Sequence, residues 1–457
     1  MAEKKRWAII GGGMLGMTLA LRLSQQGHNV TILESAEKVG GLTSSWEMPA
    51  QPGTVENGVI WDKFYHVILM SDLNTRKILK EIGLEDDLRW VETKTGFYSD
   101  GKLYSMSNLI EFFKFPPINL IDKFRLGLTI FAASKIKDWE RLEKIPVADW
   151  LQNWSGKRVF EKIWLPLLKA KLGDNYKNTS AAFIWTTIQR MYAARKSGLK
   201  KEMFGYVTGG YEKINNHFAA HLATIGIDIR YNSKVQAIKK NLSGKMEVTT
   251  EDNSLQVFDE VISTLSSKES VQIAEGLTEN EIQQHNAIKY LGVICPSILL
   301  KKPISPYYVT NITDSWPPFT GIIEMTALID KKEINDYHLV YLPKYVEPGD
   351  ALFDKSDEEL RSLFLGSLYK MYPNLSEDDL VFWGVSKARV VFALPTINYS
   401  KKVPGVTTSL GNYYIINSAQ IINGTLNVNE TIQVAEKKLK EILTDRVGKS
   451  IKDILNT

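Results

Sequence analysis

A glycine turn near the N-terminus limits this chain more than any other feature. Trp7-Ala-Ile-Ile10 reads as a buried strand, and Gly11-x-Gly13-x-x-Gly16 follows it directly. Met14 to Gln26 then carries apolar residues at helical spacing, and Gly27 stops the helix before a second strand, Asn29-Val-Thr-Ile-Leu33. The reading is a βαβ unit. In that context Gly11 permits the tight turn, Gly13 lets a diphosphate approach the backbone, and Gly16 lets the helix pack closely, with phosphate charge facing the helix N-terminus. Glu34 ends the second strand, 18 residues after Gly16. A carboxylate there accepts both ribose hydroxyls and repels a 2′-phosphate, so the expected ligand is an adenosine diphosphate without that phosphate. The competing reading is a glycine-rich turn that binds nothing.

Composition narrows the partners. The formal charge is +4 over 457 residues, too small a footprint for a dedicated nucleic-acid binder, so no nucleic acid is expected. One cysteine, Cys295, excludes an internal disulfide framework and a Cys-rich zinc site. It fits a reducing compartment. Lys4, Lys5 and Arg6 before an apolar run imitate a secretory signal, but four glycines interrupt the run and no small-residue cleavage site follows. A cytoplasmic chain is expected, with no stretch of transmembrane length. The 11 Trp, 19 Tyr and 17 Phe supply an apolar pocket or an ordinary core equally well.

Helical and aromatic patterning runs from about Tyr65 to Phe204, with helices expected over Asp72 to Ile82, Asp122 to Trp139 and Thr179 to Ala194. From Gly209 the pattern alternates again. A helix is expected from Tyr211 to Ile225, followed by strands near Ile227–Arg230, Lys245–Thr249 and Phe258–Ser263. Ile288 to Tyr345 holds several strand-like runs, Ser356 to Met371 reads as a helix, and another begins at Thr431.

Glu34 to Trp46, with Gly40-Gly41 at its centre, resembles the second glycine motif of flavin-containing amine oxidases, protoporphyrinogen oxidases and phytoene desaturases. Three later segments match the same superfamily: Thr208-Gly209-Gly210-Tyr211 with its helix, Ile227 to Val235, and Asp259 to Thr264. Trp61 to His66, Trp164 to Gly173 and Tyr307 to Asp314 look like a subgroup of uncharacterised oxidoreductases related to protoporphyrinogen oxidase. The resemblance implies FAD as cofactor. It also implies an α/β fold, in which a Rossmann-like, glutathione-reductase-like FAD-binding domain (1–65, 205–270 and 380–457) interleaves with a mixed α+β substrate domain (66–204 and 271–379). The cofactor contacts it implies are Gly11, Gly13, Met14, Leu15, Gly16, Glu34, Ser35, Gly40, Gly41, Leu42, Val235, Thr264 and Asn417.

Two departures from the family pattern bear on chemistry. The C-terminal flavin motif usually carries a Gly with Asp or Glu, whereas this chain has Asn417-Ser418, which can still hydrogen-bond the ribityl chain or diphosphate. Many amine oxidases hold a water near the flavin with a lysine one strand before a Lys-x-Pro turn. Alignment on Lys301-Lys302-Pro303 puts Cys295 there, and a thiol cannot supply an ammonium's three donors. The catalytic candidates are Tyr65 and His66, each with a packed-core alternative. Lys169 and Lys171, with Arg190 and Arg195, make a candidate cationic wall or a solvated helix face. Tyr307, Tyr308 and Asn311 are candidates for the substrate sheet. No metal-ligand spacing is visible. Leu109 to Arg125 mixes apolar residues with Lys and Arg, fitting peripheral membrane contact or a helical cover over the protein's own pocket. Three functions stay open: an FAD-dependent oxidase or dehydrogenase that removes hydride from a partly apolar small molecule, a non-redox flavoenzyme similar to UDP-galactopyranose mutase, and a flavin-binding scaffold.

Overall fold

Trp7 and Ile9 turn to one side of their strand and Ala8 and Ile10 to the other, and each pair is buried in a different apolar cluster. A strand covered on both faces belongs in a parallel sheet flanked by other layers. In the computed structural model, which describes residues 4–49, 58–195 and 202–455, that is what surrounds it. Five strands lie in the order Asp228–Arg230, Asn29–Leu33, Arg6–Ile10, Glu260–Ser263, Tyr413–Ile415, all parallel. Segments from both ends and the middle of the chain therefore build one sheet. The Met14–Gln25 helix covers one face and packs on the Val428–Leu455 helix, which begins three residues earlier than expected.

A second, mainly antiparallel sheet of eight strands is centred on Tyr290–Leu300, all eleven residues of which are buried. Its longest partner is Leu380–Ala393, paired antiparallel along that strand. Lys344–Val346 and His338–Tyr341 also border Tyr290–Leu300. Val309–Ile312 pairs parallel with Thr95–Ser99, tying in the chain before the helices. The helical region includes Leu109–Lys114, Leu120–Lys135, Val147–Ser155, Leu165–Leu172 and Ala181–Arg195, gathered around an apolar cluster that reaches Leu291 and Phe392 of the sheet.

Candidate cofactor and substrate site

The glycine motifs meet through backbone. A Cβ on Gly16 would sit 2.0 Å from the Gly11 carbonyl oxygen and 3.2 Å from Ile9 Cγ2, so helix and strand approach as closely as a bare Cα allows. Gly13 caps the Met14–Gln25 helix without a side chain, which leaves the first-turn amides of Met14, Leu15 and Gly16 for a ligand. Gly40 donates its N–H to the Gly12 carbonyl at 2.9 Å, and a parallel bridge joins Gly13 to Gly40. Gly40 has φ +125°, and a Cβ there would meet Asn215 Nδ2 at 2.5 Å. Asn215 is buried in the Gly210–Thr224 helix. It donates to the Thr43 carbonyl at 2.9 Å and accepts from the Thr43 hydroxyl at 3.2 Å. The third glycine motif thus holds the loop of the second, with Gly41 lying against Gly13 and Leu42 at the surface.

Glu34 is 8% exposed and fixed by main chain. Oε2 accepts the Gly12 N–H at 2.6 Å, and Oε1 accepts the Ala36 N–H at 2.9 Å and the Ser35 hydroxyl at 3.2 Å. Oε2 keeps a lone pair for a ribose hydroxyl. The Thr264 hydroxyl donates to the Ile10 carbonyl at 2.7 Å, against Gly11. Val235 is buried two residues after Ser233, whose N–H donates to the Glu34 carbonyl at 2.8 Å. These features fit an adenosine diphosphate. Asn417 differs: its amide donates to the Leu265 carbonyl (2.8 Å) and Ser267 hydroxyl (3.4 Å), and its oxygen accepts the Ala419 N–H at 2.9 Å. Both of its amide hydrogens are engaged within the protein, so it joins two loops at the strand ends rather than offering a free donor.

The two catalytic candidates face apart. Tyr65 shares a 2.8 Å hydrogen bond with the Tyr345 hydroxyl, and its ring lies 6.3 Å from that of Tyr341. Burial pushes its phenol up to about 12, so it stays protonated. Burial likewise raises Tyr308, Tyr341 and Tyr345. His66 turns the other way, with Nδ1 3.7 Å from Asp62 Oδ2 and its ring 4.9 Å from Tyr211. It lines a small cavity with Trp61, Gly205 and Met325, behind the Gly209-Gly210 turn.

Lys171 and Lys169 also part. Lys171 Nζ sits 3.2 Å from the centroid of the Tyr345 ring and 5.9 Å from that of Phe392. Burial of the amine pulls it down to about 7, while the electron-rich ring face favours the ammonium and opposes that fall. Lys169 is exposed, and Arg190 pairs with Asp72 at 2.9 Å. The side chain of Arg195 lies outside the described residues. The other three cations do not form the single wall expected of them. Tyr308 is buried with its ring 5.3 Å from Phe204, whereas Tyr307 lies over Gly96. Asn311, half-buried, lies opposite Gly321 in the sheet. Cys295 is fully buried within the cluster that holds Tyr308 and Tyr341, and burial raises its thiol, so it is no thiolate nucleophile. One polar group of aromatics emerges: Tyr65, Tyr345, Tyr341 and Tyr308 around Cys295, with Lys171 on its rim. Tyr341, Tyr345 and Asn215 carried no sequence signal of their own.

The family model for flavin containing amine oxidoreductases matches residues 15–394, and the chain belongs to that family. Proteins of that family are flavin-containing oxidoreductases, with FAD the usual cofactor. The 15-cis-phytoene desaturase of an Oncidium hybrid cultivar is 21% identical over 80% of this chain, which spans 64% of that protein's length. An oxidoreductase from Methanosarcina mazei has the same fold, with a TM-score of 0.74 at 16% identity, covering 95% of this chain and all of the other. A putrescine oxidase bound to putrescine matches with a TM-score of 0.71 at 17% identity, over 97% and 99% of the two chains. Membership in this family favours redox chemistry over the mutase reading. Among the described residues no helix is long and apolar enough to cross a membrane, and no group of three His, Cys, Asp or Glu residues could hold a metal ion.

Proposed function

We propose that this chain is an oxidase or dehydrogenase that removes hydride from a partly apolar small molecule, bound against the Tyr65–Tyr345–Lys171 group. The observation that carries the reading is the Gly13–Gly40 bridge beside a Glu34 oriented by the Gly12 amide. In this assignment the amides of Gly13, Met14, Leu15 and Gly16 hold the diphosphate, while Gly11, its N–H donated to the Leu33 carbonyl at 2.9 Å, makes the turn beneath it. Glu34 and Ser35 take the ribose, Gly40, Gly41 and Leu42 pass beside the ribityl chain, Val235 and Thr264 border the adenine side, and Asn417 positions the loop beneath the flavin. The cofactor domain is 1–65, 205–270 and the chain after Ala393, because Leu380–Ala393 pairs with the second sheet. That moves one boundary; 66–204 and 271–393 form the substrate domain.

Bound FAD supplies the hydride acceptor. The protein's own groups do the rest. Tyr65 and Tyr345, both protonated, orient a substrate through their paired hydroxyls, and the apolar residues around them exclude water. Desaturation of a carbon pair, or oxidation next to nitrogen, releases a proton as well as a hydride. Lys171, an amine poised near neutrality, can take it. The absorption spectrum of the purified chain tests the first step, with flavin bands expected. Their absence even after incubation with FAD overturns the reading, whereas anaerobic bleaching by a substrate supports net redox chemistry.

A further inference from the structure

The Leu120–Lys135 helix is turned inside out. Its exposed side carries Leu120, Ile121, Phe124, Leu128 and Phe131, between 52% and 68% exposed. Its buried side carries Asp122 and Lys123 along with Leu126, Thr129 and Ala133, packed towards the Val147–Ser155 and Ala181–Arg195 helices. A surface helix of a globular protein has the opposite polarity. The inward charges are satisfied locally: Lys123 Nζ donates to the Phe113 carbonyl at 2.7 Å, and Asp122 lies 3.2 Å from Arg158. Nothing forces the apolar residues outward to accommodate them.

The preceding Leu109–Lys114 helix extends the same surface. Ile110 is 68% exposed and Phe113 38%, and the rings of Phe113 and Phe124 lie 5.9 Å apart. Of the 18 large apolar side chains exposed among the described residues, seven fall between Ile110 and Phe131. Such a concentration marks an interaction surface rather than scattered exposure. Charge indicates the partner. Lys114, Arg125, Lys135 and Lys137 are exposed along this segment, and Lys157 and Arg158 flank it. Between Ile110 and Phe131 the two carboxylates are withdrawn, Glu111 held by Ser105 and Ser107 and Asp122 buried, while Asp138, Glu140 and Glu161 lie exposed beyond that stretch. Apolar side chains flanked by cations, with the anions between Ile110 and Phe131 withdrawn, match the boundary between lipid headgroups and acyl chains.

We infer that the Ile110–Phe131 surface docks the protein on an anionic phospholipid bilayer, with Ile121, Phe124, Leu128 and Phe131 entering the acyl boundary and Lys114, Arg125 and Lys135 meeting the headgroups. The inside-out helix then has its apolar side covered. Beneath it, Phe115 and Leu126 belong to the apolar cluster that also contains Phe392, the ring beside Lys171. The docked face is thus continuous, through apolar side chains, with the region assigned to substrate.

The test is flotation of the FAD-loaded full chain with vesicles of phosphatidylcholine containing about one third phosphatidylserine, and with phosphatidylcholine alone. Wild type is expected to float with the anionic vesicles at least tenfold better than I121S/F124S/L128S/F131S, both proteins keeping the same flavin content and melting temperature. A dye on L128C, with Cys295 buried, is expected to shift to the blue on the same vesicles. Wild type that stays unbound, or a variant that floats equally well, overturns the inference. Equal binding to phosphatidylcholine alone overturns its electrostatic part. A concentration-dependent dimer lost in the variant, without flotation, gives the surface to a second copy of the chain instead. Flavin content is read independently, so failure here leaves the cofactor assignment standing.

Discussion

The two ends of the site are made of different materials. The cofactor end is built from main chain, where Gly11, Gly13, Gly16 and Gly40 bring backbone against backbone and Glu34 is held by the amides of Gly12 and Ala36. The substrate end is built from side chains contributed by a loop, a strand and a helix, with Tyr65, Tyr345 and Lys171 meeting across more than 100 residues of chain. A backbone site tolerates almost no added volume, because peptide groups cannot rotate away. A side-chain site gives way by changing rotamers. Gly16→Val should therefore have the largest effect: the new Cβ alone would stand 2.0 Å from the Gly11 oxygen. A loss of about 3 kcal/mol is expected from such overpacking, with FAD content falling below about a tenth of wild type. Cys295→Ala, at the heart of the other end, should cost about 1–2 kcal/mol and leave FAD content unchanged. Thermal unfolding and flavin absorbance measure both. If Cys295→Ala lost as much FAD as Gly16→Val, the two ends would have to be treated as one.

The same contrast explains what could be read from the sequence. A glycine required by backbone geometry has no substitute, so its spacing survives as a visible pattern. The helix expected over Asp72 to Ile82 is found as Leu73–Glu81, and that expected over Tyr211 to Ile225 as Gly210–Thr224. Side-chain sites leave no such trace, because any aromatic fills an aromatic cluster and register between distant strands is set by packing. Val293 faces Tyr345 across 52 residues, and nothing local to either residue announces it. Some of the discrepancies were nevertheless legible. Lys169 and Lys171 stand two apart on a helix and cannot share a face. Tyr65 and His66, like Tyr307 and Tyr308, are adjacent in extended chain and point apart.

A middle-sized effect separates the ends by affinity. Glu34→Ala removes the acceptor for the ribose and leaves the buried Gly12 and Ala36 amides without their partner. The two lost main-chain bonds are a cost in stability, whereas the lost charge-assisted bond to the ribose corresponds to about 2 kcal/mol, or roughly thirtyfold weaker FAD binding. Tyr345→Phe loses one neutral hydrogen bond, about 1 kcal/mol of stability, with FAD affinity unchanged. A fluorescence titration with FAD separates the two. Wild-type affinity in Glu34→Ala would remove Glu34 from the ribose site, and weakened affinity in Tyr345→Phe would mean that the aromatic group reaches the cofactor.

The smallest effect is expected from Lys171→Met, and it is read as a slope rather than a loss. Burial lowers the folded-state value of Lys171 to about 7, below the 10.5 of an unperturbed lysine. Between these values the unfolded chain carries a proton that the folded chain does not, so stability rises with pH across that window. Below about 7 both states are protonated and the full burial penalty applies; above about 10.5 both are neutral and it vanishes. Met keeps the length and apolar stem without the charge. The variant should be more stable than wild type near pH 6 by about 1 kcal/mol, a figure kept small because Lys171 is only half-buried and the Tyr345 ring compensates part of the penalty. The difference should close towards pH 10. Unfolding in denaturant across that range measures it, and parallel curves for the two proteins would mean that Lys171 is as well solvated in the folded chain as in the unfolded one, removing it as the proton acceptor.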